Sequence, residues 1–173
     1  KLTGLDTVLG PEMKSTGEAM GHGPNFGTAY LKAMKGGNKK LPTKGTVFLS
    51  ISNKLKLDFE DIAKDLVEHG FDLIATKGTA ASLRKCGLEN KVIWRISDRK
   101  QPDILSIMRK GDVDLIINLP TGRRAATDGA QMRRLAVELG IPFITTLTGA
   151  RAAIDSLKEG EEDYIQPLKK VNY

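Results

Sequence analysis

Five short apolar runs, each followed by a stretch that carries its charges on one side, constrain this chain more than any other feature. The runs are TVFLSI (46–51), DLIA (72–75), KVIW (91–94), VDLIINL (113–119) and FITT (143–146). After them, apolar residues at helical spacing predict helices near 57–69, 78–86, 102–110, 124–139 and 149–157. Strands that stay apolar without alternating are buried on both faces, and strands separated by helices run parallel. The expected fold is therefore α/β: a doubly wound, five-stranded parallel sheet with helices on both faces, a Rossmann-like three-layer sandwich. Gly70, Gly111 and Gly140 stand where helix C-termini need a residue free of a side chain.

The flanking regions read differently. Residues 1 to about 20 form an irregular lead-in, whereas 25–35 places Phe26, Ala29, Tyr30, Ala33 and Met34 at helical spacing and predicts one apolar face. GGNKKLPTKG (36–45) is turn-forming and charged, so it reads as a linker and the main domain starts near Gly45. The chain opens on Lys1 rather than Met and is expected to be part of something longer. Its 173 residues suit one domain, and the net charge of +6, from 27 Lys and Arg against 21 Asp and Glu, suits acidic small molecules. The bases are interleaved with carboxylates and aromatics are few, which argues against a nucleic-acid surface. The lone Cys86 has no partner for an internal disulfide, as expected in a reducing cytoplasm. No apolar run has membrane-spanning length, so no membrane is expected either.

In such a sheet, ligands bind beyond the carboxyl ends of the strands. The residues there are Ser50, Ser52, Asn53 and Lys56; Thr76, Lys77, Gly78 and Thr79; Trp94 and Arg95; Asn118, Thr121, Arg123 and Arg124; and Thr145, Thr146 and Thr148. Hydroxyls, amides and cations dominate, which suits phosphate or carboxylate. The turn Thr76-Lys77-Gly78-Thr79, where a strand runs into a helix, presents unpaired N–H groups to an anion, although it has neither Walker nor dinucleotide-fingerprint spacing. Trp94 reads either as a stacking platform or as core. His22 and His69 have no partners at metal or triad spacing, so no metal is expected. Asp98, Asp103 and Asp128 are the carboxylates near strand ends, and none has an evident catalytic partner. The pattern is that of a site built to hold a ligand.

Three tracts, GPEMKSTGEAMG (10–21), ATKGTAASL (75–83) and DLIINLPTGRRAATDGAQMRRLAVELGIPFITTL (114–147), resemble the carboxyl-terminal end of the carbamoyl-phosphate synthetase large subunit. The resemblance implies that 1–21 closes a preceding ATP-grasp region, 22–44 is a helix and linker, 45–157 is a methylglyoxal-synthase-like allosteric domain, and 158–173 is a tail. It further implies that Ser50, Lys56, Thr76, Thr79, Arg95, Asn118 and Thr121 contact a nucleotide monophosphate. The parent enzyme would use ATP with Mg or Mn, with the rest of the large subunit and a glutamine amidotransferase small subunit as partners. This domain itself would need no cofactor. Trp94 and INLP resemble the N-acetylglutamate-binding type; the longer TGRRAATDG resembles the nucleotide-regulated type and favours UMP, with IMP as competitor. A methylglyoxal synthase is the enzymatic alternative, but Arg99-Lys100-Gln101-Pro102 and Asn118-Leu119-Pro120 stand where that family carries its aspartates. A module that only docks on a partner through the helix at 25–35 is the third.

Overall fold

Strand β1 (Gly45–Ile51) lies at the centre of a five-stranded, all-parallel sheet. On one side of it come β2 (Phe71–Thr76) and β3 (Lys91–Ile93), and on the other β4 (Leu115–Leu119) and β5 (Phe143–Ile144), giving the order β3-β2-β1-β4-β5. The computed structural model describes residues 19–37, 40–120 and 123–158, with only the backbone of 123–126. Most of the lead-in, Thr121 and the tail lie outside the described residues.

The strand sequences sort by parity onto two cores. Val47, Leu49, Ile51, Leu73, Ala75, Leu115, Ile117 and Leu119 join one apolar cluster, which α2 (Lys56–Glu68), α3 (Lys77–Lys85) and α6 (Leu147–Lys158) cover with Phe59, Ile62, Leu66, Ala80, Leu83 and Ile154. Phe48, Ile74 and Ile116 face the other way, onto Ile104 and Met108 of α4 (Ile104–Lys110) and Met132 and Ala136 of α5 (Arg123–Leu139). Both faces are dry, which is why the runs carry no alternation of polar residues. No described helix is long and apolar enough to cross a membrane.

Several elements end where capping chemistry dictates. Helix α4 begins at Ile104, later than the sequence spacing implies, because the Asp103 carboxylate accepts from Ser106 N–H at 2.8 Å and serves as its N-cap. β5 stops at Ile144 because Thr146 turns out of the sheet and accepts from Gly149 N–H at 3.0 Å, at the start of α6. The C-cap of α2 is His69, whose Nδ1 lies 2.7 Å from Asp65 O.

The helix expected at 25–35 is α1 (Phe26–Gly36), capped by the Asn25 side chain, which accepts from Thr28 N–H at 2.8 Å. It folds back onto α6. A methyl group on its buried Gly27 would lie 3.0 Å from the Asp155 carbonyl carbon and 3.1 Å from Ser156 N, so only glycine lets the two backbones come this close. Tyr30 and Met34 pack against the core, but Phe26 does not share their face: it is 70% exposed, its ring 6.3 Å from that of Tyr30. Helix α6 is tied in turn to α2 by Asp65, which pairs with Arg151 at 2.7 Å and Lys158 at 3.0 Å. Partial burial pushes the Asp65 carboxyl up, but the Lys158 and Arg151 cations outweigh it and hold it below the ordinary value.

Candidate functional site: a cleft at the switch point of the sheet

The chain leaves β1 toward β2 on one side and returns through β4 on the other, so the connections after β1 and β4 diverge and open a crevice between their carboxyl ends. Ser50 pairs with Asn118 across β1 and β4, and Thr76 of β2 follows the Leu49–Ala75 pair at the same level. These three residues form one polar rung across the central strands. It lies directly above the apolar rung Phe48, Ile74 and Ile116, because side chains two apart on a strand share a face. The cleft on this rung encloses about 370 Å³ and is walled by Ser52 and Asn53 after β1, Arg95, Ser97 and Asp98 after β3, and Asp128 and Met132 of α5.

Two atoms here are unsatisfied. Asn118, 2% exposed, has a side-chain Nδ2 with no hydrogen-bond partner among the described residues, and the buried Ser52 Oγ has none either. Buried donors are seldom left idle, because each costs the desolvation it is not repaid. The wall opposite is satisfied internally: Asp128 accepts from the Ser97 hydroxyl at 2.8 Å and Ser97 N–H at 3.3 Å, and Asp98 accepts from Arg95 N–H at 3.2 Å. These carboxylates hold the short helical turn Ile96–Asp98 in place.

The structure thus brings Ser50, Thr76, Arg95 and Asn118 together in one cleft. Thr79, buried at 2% exposure, sits behind it, and its hydroxyl is fully used. It accepts from Ile51 N–H at 2.9 Å and from the Thr76 hydroxyl at 3.2 Å, and donates to Ile51 O at 3.3 Å. One proton and two lone pairs allow no fourth bond. Lys56 is also outside the cleft wall. Its Nζ donates to Gly78 O at 2.7 Å, and partial burial, then the Arg95 and Lys85 charges, push its pKa below the ordinary lysine value. Lys56 and Arg95 therefore feel each other, and the β2 side of the cleft is electropositive. Lys77 is exposed at the first position of α3.

Trp94 is half-buried and does not line the cleft; Lys100 Nζ stands 4.5 Å from its ring centroid. Asp103, Thr146 and Thr148 serve helix starts instead of the cleft. Thr121 and the side chains of Arg123 and Arg124 lie outside the described residues. Sequence reading missed Ser97, which no motif marks. Among the described residues no group of three or more His, Cys, Asp or Glu is placed to hold a metal.

Known proteins agree with this architecture. Residues 58–145, just over half of the chain, match the family model of the MGS-like domain. The chain is 49% identical over 164 residues to the carbamoyl phosphate synthase large chain, C-terminal section, of Methanocaldococcus jannaschii, covering 93% of this chain and 26% of that one. It is 44% identical over 173 residues to the carbamoyl phosphate synthase large chain of Methanosarcina barkeri, covering 98% and 16%. The large chain from Archaeoglobus fulgidus is 49% identical over 159 residues, covering 91% and 15%. This chain thus spans about a quarter or less of the length of these relatives. With this match resting on the same strands and helices that frame the cleft, the chain belongs to the MGS-like domain family and is similar to part of the carbamoyl phosphate synthase large chain.

Proposed function

We propose that this chain is the regulatory module of a carbamoyl phosphate synthase large chain, and that its cleft takes an anionic effector of the UMP or IMP type. The observation that carries the reading is the Asn118 amide: a donor 2% exposed and without a partner among the described residues, at the switch point of a parallel sheet. Arg95 and the neighbouring Lys56 supply the electropositive side that a phosphate needs. The effector would tune ATP-dependent carbamoyl phosphate synthesis, feeding pyrimidine and arginine biosynthesis in the cytoplasm. ATP with Mg or Mn would be bound by the remainder of the large chain, and a glutamine amidotransferase subunit would supply the ammonia.

Calorimetric titration of the chain with UMP, IMP, N-acetylglutamate and inorganic phosphate in parallel tests this. Saturable binding of a nucleotide, tighter than that of N-acetylglutamate, is expected. Heat only with N-acetylglutamate would reassign the effector, and no binding of any of them would overturn the reading in favour of a docking module. A second reading has one observation in its favour: Asp98 and Asp128 line the cleft, as the acids of a phosphate-eliminating lyase would. Both are already engaged as acceptors. Phosphate release from dihydroxyacetone phosphate above a heat-inactivated control would establish the lyase.

A further inference from the structure

The segment after β3 makes an excursion that is closed at its base and held at its tip by a different element. At the base, Trp94 N–H donates to Pro102 O at 3.2 Å, and Trp94 bridges to Asp103. Between them stands the single turn Ile96–Asp98, knit to Arg95: Asp98 N–H donates to Arg95 O at 3.1 Å, and the Asp98 carboxylate accepts from Arg95 N–H at 3.2 Å. One turn fixes several dihedrals for few bonds and does not hold by itself. Its exit adds strain, since Arg99 takes φ 51° in the left-handed region, which a residue with a side chain keeps only where its surroundings impose it. Among the described residues, the hydrogen bonds that tie this tip to another element both end on Asp128 of α5, from the Ser97 hydroxyl at 2.8 Å and from Ser97 N–H at 3.3 Å. Arg95, the cation of the cleft wall, thus takes its place through a relay that starts at a carboxylate of a different wall. Asp128 acts on an anion in two opposed ways: its charge repels, and its bonds hold the turn that carries Arg95. Water screens a repulsion across the open cleft, whereas a misplaced guanidinium forfeits a charge-assisted hydrogen bond, so the second effect is the larger.

We propose that Asp128 is a positioning residue for Arg95: by holding Ser97 it fixes the turn that places the guanidinium at the cleft, so that removing this negative charge weakens anion binding instead of strengthening it. The proposal rests on the reading that the cleft binds an anion. It assigns the carboxylate of α5 no contact with the ligand; its effect passes through Ser97 and the turn.

The test uses the 173-residue chain with inorganic phosphate as the probe, because phosphate carries no sugar or ring that Asp128 could touch directly. Asp128→Ala should lower phosphate affinity by about tenfold, as loss of a hydrogen bond to a charged group does. Asp128→Asn should stay within about twofold, since its amide oxygen still accepts from Ser97. Ser97→Ala keeps the N–H bond and should fall between the two. In an Arg95→Gln background, Asp128→Ala should cause no further loss, the signature of two residues that act as one unit. The Ser97 and Asp98 amide hydrogens should exchange about tenfold faster or more in Asp128→Ala, while those of β1 and β2 keep their protection. The fluorescence of Trp94, the one tryptophan of the chain, should shift with them, because it stands at the base of the turn. Phosphate affinity that is unchanged or raised in Asp128→Ala, as charge alone dictates, overturns the proposal. So does a loss that persists undiminished in the Arg95→Gln background. If Asp128→Ala loosens the whole sheet, Ser97→Ala decides, and unchanged phosphate affinity there overturns the proposal. A wild-type chain that binds UMP but not phosphate overturns it while leaving the nucleotide reading standing. Binding of neither overturns both.

Discussion

Thr76 and Thr79 carry the same hydroxyl three residues apart, yet their bonding separates their roles. Thr79 joins α3 to the backbone of Ile51, and its removal would leave a buried N–H unpaired. Thr79→Ala should therefore cost about 1–3 kcal/mol of stability, and Thr79→Ser much less, as read by urea denaturation. Thr76 lines the cleft but gives its proton to Thr79, so Thr76→Ala should cost about 0.5–1.5 kcal/mol of stability, less than Thr79→Ala, as read by the same denaturation. Both threonines are visible in the sequence as hydroxyls at a strand end. Their division of labour is not, because it depends on where Ile51, 28 residues earlier, presents its amide. Lys56 gives a test by pH. Its folded pKa lies below 10.5, so the unfolded chain holds more protons between the two values, and stability rises with pH across that window. Lys56→Met should flatten the rise. Arg95→Gln should move the Lys56 pKa back up, as read from its side-chain resonances, and an unmoved pKa would show that burial and Lys85 set it without Arg95.

At the scale of elements, spacing places α1 correctly but misjudges its face. Phe26 and Tyr30 are four apart and should point the same way, yet docking on α6 begins only at Gly27, and Phe26 remains outside it. The missing information was the partner: α6 lies at the far end of the described chain, and no local pattern announces it. Tyr30, half-buried with its hydroxyl pKa raised by burial, packs against the core. Tyr30→Ser should cost about 1.5–3 kcal/mol, whereas Phe26→Ser should stay within about 0.5 kcal/mol. Thermal denaturation of the two variants side by side checks the pair. Equal losses would mean that Phe26 packs as well. The helix ends that spacing misplaced, at Asp103 and Thr146, were set by side-chain caps, whose signal is one residue and easily absorbed into a neighbouring run.

For the whole molecule, the layer arrangement was legible because five apolar runs and intervening amphipathic helices leave few alternatives. The cleft was legible in outline, since four of the five strands contribute their carboxyl ends. The strand order was needed to discard Thr146 and Thr148, which follow an edge strand, and to join Ser50 to Asn118. Ser97 escaped notice because it enters the cleft from the short turn after β3, where no apolar pattern marks it.

The pairing of Ser50 with Asn118 spans most of the domain's sequence, and that has a kinetic consequence. Strands β1, β2 and β3 can assemble through short crossovers, but β1 meets β4 only after three intervening helices have been placed. Closing so long a loop is slow, so the β1–β4 crevice should be completed late, after the folding barrier has been crossed. A ligand that needs both lips of the crevice then cannot help the chain over that barrier; it can only hold the finished product. Saturating nucleotide should slow unfolding in a stopped-flow denaturant jump and leave the refolding rate unchanged. Faster refolding in its presence would show that the crevice closes early.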